Sequence, residues 1–241
     1  MDSEVLRDEI HNFLDENLTG GEQLIVDAAR NIVLAKSHLW RPLIMLNIVN
    51  SLNKNYRLAK PIATALECTH CATLIMDDLP SQDNSPIRRG KPACHIQYGE
   101  EIAHLAIFYL VCKSIEFNNS APITDKQTRK INLIHAKLTG QVLQGQKKDL
   151  RDLEDMKSPD DVIDVYRLKT GALMRYAAIG GGIVAGASGK QLWSHYVGAE
   201  ILAAPISDGA SLYVVTASRE IYSFNKDTGE QKWVVYVKGF D

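Results

Sequence analysis

The stretch ECTHCATLIMDDLPSQDNSPIRRGKP, from Glu67 to Pro92, constrains this chain more than any other part of it. Asp77, Asp78 and Asp83 crowd into it, and Arg88 and Arg89 follow closely. The run from Ile62 to Met76 is largely apolar and contains no helix breaker, which predicts a buried helix carrying Asp77 and Asp78 at its C-terminal end. Pro80 disfavours helical geometry at Leu79, so the helix should stop or kink there. On an unbroken helix Asp77 and Asp83 would lie about 120° apart around the axis, and a break is what can bring them together. Carboxylates at this end oppose the negative pole of the helix dipole. Such a cluster calls for a cation, and hard oxygen donors with substrate phosphates nearby favour magnesium. Arg88 and Arg89 can fork onto the same phosphate oxygens.

In its order, DD-x4-D-x4-RRGKP resembles the first aspartate-rich motif of the trans-type isoprenyl (polyprenyl) diphosphate synthases of the farnesyl/geranylgeranyl type. The resemblance implies a mainly α, isoprenoid-synthase-like helical bundle. It implies that Asp77, Asp78 and Asp83 hold Mg2+ on an allylic diphosphate, helped by Arg88, Lys169 and Thr170. Isopentenyl diphosphate would be seated by Arg41, His70 and Arg89. Shorter matches support it. Arg41-Pro42 fits the end of the family's G-K-x-x-R-P segment, although Ser37 and His38 stand where its glycine and lysine belong, with Lys36 two residues earlier. Gly145-Gln146 with Asp149 fits G-Q-x-x-D, and Lys169-Thr170 fits the K-T pair. Gln146 is therefore also a candidate substrate contact. Ala72 and Thr73 occupy the places that floor the family's product pocket, where by the resemblance small residues imply a product of twenty carbons or more over a fifteen-carbon one.

Composition limits the alternatives. A formal charge of −2 over 241 residues gives no reason to expect nucleic acid or an anionic membrane surface as partner. No apolar run reaches the ~18 residues of a membrane span, and the acidic, amphipathic N-terminus is not a signal peptide. Cys68, Cys71, Cys94 and Cys112 lack the spacing of a secreted disulfide framework. The CxxC of Cys68 and Cys71 lies on the buried helix without a second pair, and reads as core packing in preference to zinc. These features suit a reducing, cytoplasmic setting. By resemblance the partners are the two diphosphates, with a homo-oligomer (dimer) or pairing with a complete synthase expected.

Apolar positions at Leu6, Ile10, Phe13, Leu14 and Leu18 mark an amphipathic helix over residues 3–18. After Gly20-Gly21, helical sequence runs from Glu22 to about Ser51, with an interruption expected near Pro42. The central helix begins at Leu58 or Pro61. Gly99 to Asn118 is a third strongly apolar helix, whose Ile102, Leu105, Phe108, Leu110 and Val111 read as core. Asp125 reads as the N-cap of a helix from Lys126 to about Leu150. Ser158-Pro159-Asp160-Asp161 is a strong start for a helix expected to run on through YRLKTGALMRYAAI. Gly180-Gly181-Gly182 weakens that helix by about 1 kcal/mol per residue relative to alanine, and either permits close packing or ends it.

From Gly189 the text changes. Runs rich in Val, Ile, Tyr and Thr alternate with turn residues at Ser207-Asp208-Gly209 and from Asn225 to Gly229, the pattern of antiparallel strands. Gly189-x-x-x-Trp193 recurs forty residues later as Gly229-x-x-x-Trp233, a period that suits one propeller blade. Residues 189–237 resemble a single PQQ-like (quinoprotein) β-propeller repeat, in strand pattern and not in quinone binding. The synthase resemblance thus covers about residues 20–188, and two domains are expected: a helical one over 1–188 and a β-rich segment over 189–241. The synthases continue instead with a second motif, FQ-x-x-DD-x-x-D. A looser overlay sets Tyr196, Ala203 and Asp208 on that region, with Pro205 in place of Gln and Gly209 in place of the second Asp. The expected activity is prenyl chain elongation, impaired by the missing motif. The alternatives are a non-catalytic binding or regulatory subunit, and a fragment or joining of two proteins.

Overall fold

The computed structural model describes residues 3–151, 158–187, 195–197, 205–216 and 220–236. They divide into two units, Met1–Gly189 and Lys190–Asp241. The first is helical: α1 (Ser3–Asn17), α2 (Gln23–Val33), α3 (Trp40–Ser51), a 3-10 turn (Tyr56–Ala59), α4 (Lys60–Asp78), a hairpin of β1 (Ile87–Arg88) and β2 (Lys91–Pro92), α5 (Cys94–Tyr98), α6 (Glu100–Ser120), α7 (Asp125–Arg151), α8 (Pro159–Lys169) and α9 (Gly171–Val184). No described helix is long and apolar enough to cross a membrane.

α4 is the central helix. Proline in its first turn costs no hydrogen bond, and every residue from Pro61 to Thr69 is buried. It packs against α6 along its length and also meets α1, α2, α3 and α9. A polar knot ties four helices together. The Tyr176 hydroxyl (α9) donates to Asn118 Oδ1 (α6) at 3.2 Å, and Asn118 Nδ2 meets His135 Nδ1 (α7) at 2.8 Å. With Asn118 donating there, His135 Nε2 carries the proton and donates to Thr69 Oγ1 (α4) at 2.7 Å. The Thr69 hydroxyl in turn donates to the Ala65 carbonyl. Burial pushes the His135 pKa down to about 4, so the ring is neutral.

Several local expectations are corrected. The break after α2 spans residues 34–39, with Leu39 at a left-handed φ of 50°. Pro42 sits inside the first turn of α3, where its missing N–H has no intrahelical partner to lose. Thr124, not Asp125, caps α7: its Oγ1 accepts from the Gln127 amide and Gln127 reaches back to the Thr124 amide, a reciprocal pair that satisfies two end groups. On α6 the core side is Ala103, Ala106, Leu110 and Phe117. Leu105 and Phe108 face outward, Phe108 at 69% exposure. Apolar composition alone did not reveal which stripe faces inward, because α6 is apolar on nearly all sides. The helix from Pro159 breaks at Thr170 and does not run through the Lys-Thr pair. The glycine run, by contrast, stays helical. A Cβ at Gly181 would lie 2.9 Å from the Met45 carbonyl oxygen, so its absence lets α9 close onto α3.

The second unit is a four-stranded antiparallel sheet in the order β3 (Ile206–Ser207), β4 (Ser211–Val215), β5 (Glu220–Asn225), β6 (Gln231–Tyr236). Leu212 stands opposite Phe224, and Ser223 opposite Trp233. The predicted turns are present. Asp208 accepts from the Ala210 and Ser211 amides and from the Tyr213 hydroxyl. The Asn225 carboxamide closes the β5–β6 turn by accepting from Asp227 and Thr228. Gly189, Trp193 and Ala203 lie outside the described residues, so only the second copy of the Gly-x-x-x-Trp pair is seen.

Candidate active site

The end of α4 organises the site. Helical bonding stops at Leu79 and the chain turns back at once. The Gln82 and Asn84 amides donate to the Leu79 carbonyl, and the Asp83 amide donates to the Asp77 carbonyl at 2.9 Å. The break before Pro80 therefore returns Asp83 to Asp77. Their mutual repulsion registers on Asp77, whose pKa rises to about 6 through burial first, then the Asp83 charge, against the pull of Lys169. Lys169 Nζ lies 3.9 Å from Asp77 and 2.5 Å from Asp149. Burial lowers the Lys169 pKa, but the Asp149 hydrogen bond and the Asp77 charge outweigh it and the net shift is upward.

Gly145 allows this approach. A Cβ there would sit 2.4 Å from the Lys169 backbone nitrogen, so only glycine lets α7 touch the end of α8. The helix break at Thr170 leaves Lys169 as the last residue of α8, and Thr170 itself is exposed. Gln146 Nε2 donates to Gln82 at 3.3 Å, while its buried Oε1 lacks a hydrogen-bond partner.

Asp78 faces elsewhere. Its carboxylate, 1% exposed, accepts from Arg88 Nε at 3.0 and 3.1 Å and from Arg88 Nη2. That hydrogen bond, ahead of the opposing effect of burial, raises the Arg88 pKa.

A third group lies beside the hairpin. Arg89 and Gly90 turn the chain between β1 and β2 with φ of 52° and 75°, the left-handed values that a two-residue hairpin turn needs. Arg89 Nη1 donates to the Ile32 carbonyl at 2.8 Å, and Nη2 donates to Glu67 at 3.0 Å. Arg41 is near enough to interact with Glu67 and Arg89, and burial lowers its pKa. The buried Arg41 Nε lacks a hydrogen-bond partner. Burial drives the His70 pKa well below its usual value, with Arg41 and Arg89 adding to the effect, so His70 is neutral. His38 is exposed and stacks on Trp40.

The predicted residues thus fall into three sets: Asp77, Asp83 and Lys169; Asp78 with Arg88; and Arg41, His70 and Arg89. Ala72 is buried in the core while Thr73 is half-buried. Cys68 and Cys71 are both buried in α4. Sequence reasoning missed Glu67, although a lone acid three residues before His70 on an apolar helix was a usable signal, because buried acids are rare unless paired. Asp208, the acid offered by the looser overlay, is engaged in its own β-turn, where the Tyr213 hydroxyl first and the backbone amides next hold its pKa near about 2. Among the described residues no three metal-ligating side chains converge. Asp77 and Asp83 nevertheless fit magnesium, since such a site commonly takes one or two carboxylates and completes itself with water and phosphate oxygens.

The polyprenyl synthetase family profile matches residues 22–199, and a profile described as outer membrane protein assembly factor BamB matches 172–239. The chain is 32% identical to a geranylgeranyl diphosphate synthase of Cyanophora paradoxa over 88% of its own length and 73% of that protein's. It is 31% identical to the heterodimeric geranylgeranyl pyrophosphate synthase large subunit 2 of Arabidopsis thaliana, over 77% and 51%. Among solved structures, the geranyltranstransferase of Thermotoga maritima superposes with a TM-score of 0.70 at 29% identity, covering 78% of this chain and 70% of that one. The chain spans about half the length of several relatives that it matches. An aspartate pair at a broken central helix, a lysine at the α8–α9 break and a profile match over most of the chain lead to one assignment: this chain belongs to the polyprenyl synthetase family.

Proposed function

We propose that the helical unit lengthens a prenyl chain by condensing an allylic diphosphate with isopentenyl diphosphate. The observation that carries this reading is the grouping of Asp77, Asp83 and Lys169 at the end of α4, with the cationic pair of Arg41 and Arg89 as a second group. Two anionic substrates call for two such groups. In this reading the allylic diphosphate lies against Lys169 and Arg88. Asp77 and Asp83 would hold Mg2+, which when bound neutralises the departing diphosphate. Lys169 and Arg88 stabilise the same developing charge as the allylic C–O bond breaks and its electron pair leaves with oxygen. Arg41 and Arg89 hold isopentenyl diphosphate, so that its double bond meets the allylic cation. His70, being neutral, adds a hydrogen-bonding edge without a charge. The proton lost from the new cation goes to the released diphosphate, restoring a double bond.

Oligomer formation belongs to the same proposal. The outward stripe of Leu105, Phe108 and Ile115 on α6 suits association with a second copy or with a longer synthase. Calorimetric titration of the purified chain with a non-hydrolysable allylic diphosphate analogue, with and without magnesium, tests the site. Tighter binding with magnesium, lost in Asp77→Ala, is expected. Equal affinity in both conditions would reject the reading. Turnover of labelled isopentenyl diphosphate, by the chain alone and with a longer synthase, then separates a self-sufficient enzyme from a binding subunit.

A further inference from the structure

We propose that Glu67 is the positioning residue of the homoallylic pocket: its buried carboxylate holds the Arg89 guanidinium and offsets the charge of Arg41, presenting both to one anion. This rests on the reading above, which gives Arg41 and Arg89 to isopentenyl diphosphate. The geometry is specific. Glu67 is 1% exposed and lies on α4 one turn before Cys71 and three residues before His70. One arm of Arg89 is tied to the Glu67 carboxylate at 3.0 Å and the other to the Ile32 carbonyl at 2.8 Å, so the plane of the fork is set from two helices. The Cys71 sulfur lies 3.6 Å from Arg89 and 3.7 Å from Glu67.

An arginine on a hairpin turn otherwise carries a long, freely rotating stem. Fixing its plane before the ligand arrives removes an ordering cost from binding. The charge argument is independent of the geometric one. Two guanidiniums in a partly buried pocket repel each other, and burial penalises both. The Glu67 carboxylate, bonded to Arg89 and attracting Arg41, compensates one positive charge and leaves a net of about one for the ligand. A neutral His70 keeps that balance. The buried Arg41 Nε without a partner is a donor awaiting an acceptor. Glu67 itself is buried. It acts through Arg89 and Arg41.

The test is calorimetry on the full chain with isopentenyl diphosphate as one probe and the allylic analogue with magnesium as the other. Circular dichroism establishes that each variant is folded. Glu67→Gln should weaken isopentenyl diphosphate binding about tenfold, the cost of one charge-assisted contact, and change the allylic analogue less than about twofold. Glu67→Asp keeps the charge on a shorter stem and should lose only about threefold. A purely structural role would move both probes together, and that result would overturn the proposal. So would full affinity in Glu67→Gln. If Glu67→Gln does not fold, Glu67→Asp decides, and unchanged isopentenyl diphosphate affinity there overturns the inference. Failure of the unaltered chain to bind isopentenyl diphosphate at all would instead remove the functional reading on which this one stands.

Discussion

Asp77 and Asp78 are neighbours in sequence, yet the structure treats them as opposites. Asp78 is buried and its charge is answered by Arg88. Asp77 is half-buried beside another carboxylate, with Lys169 nearly 4 Å away and drawn mainly to Asp149. One residue of helix rotates a side chain by about 100°, enough to move it from the α4 side facing the hairpin to the side facing α7 and α8. Glu67 lies on the Asp78 side and is likewise paired, with Arg89. On the closed side of α4 the acids are in completed ion pairs, and on the open side two carboxylates repel each other with Lys169 and Arg88 only partly offsetting them. Acids held in ion pairs and an acid set beside a like charge share one helix, separated by their angle.

The sharpest break of this contrast is Asp78→Leu. It removes the hydrogen-bond partner of Arg88 and should cost about 3 kcal/mol of stability, the low end of the penalty for breaking a buried pair because Arg88 is partly exposed. Urea unfolding followed by helical circular dichroism measures it, and a loss under 1 kcal/mol would place Asp78 with the open side. His135 extends the closed-side rule to a buried group that stays neutral. Its folded pKa of about 4 lies below the ordinary value of 6.5, so between those pH values the unfolded chain binds a proton that the folded chain does not. The stabilisation is present above about pH 6.5 and is lost as pH falls, reaching about 3 kcal/mol near pH 4. The same unfolding series with His135→Gln should show a pH dependence weaker by that amount.

Gly145→Ala probes the contact on which the open side depends. A Cβ 2.4 Å from backbone cannot be accommodated without moving α8, and overpacking of this kind costs about 1–3 kcal/mol. Lys169 should shift with the backbone, so magnesium-dependent binding of the allylic analogue should weaken in the same variant. The smallest stability effect is expected from Asp77→Asn. Removing a charge that repels its neighbour should change stability by less than about 1 kcal/mol, while metal-dependent analogue binding disappears. A large destabilisation there would show Asp77 to be as structural as Asp78.

Much of this was legible in residue order. The buried helix ending at Asp78, the break before Pro80, the capping box at Ser158 and the turns around Asp208 and Asn225 all rest on local chemistry within a few residues. Two of the failures share an origin. The continuous helix expected through Lys169-Thr170 and the core role given to Leu105 and Phe108 both depend on which neighbour arrives from elsewhere in the chain. Nothing within the stretch itself distinguishes a helix from two helices meeting at Thr170, or one apolar stripe of α6 from another.

The sequence by itself determined the family, the helical architecture, the antiparallel strands of the C-terminal unit and the candidate site residues. Side-chain type and spacing are local properties, and helices, caps and turns respond to them directly. Only the tertiary structure decided that Asp78 answers Arg88 while Asp77 gathers with Asp83 and Lys169, and that Glu67 holds Arg89. Those outcomes join residues ten to over ninety positions apart. Whether a buried charge is compensated depends on what packing brings within hydrogen-bonding distance, and packing is settled by the whole fold.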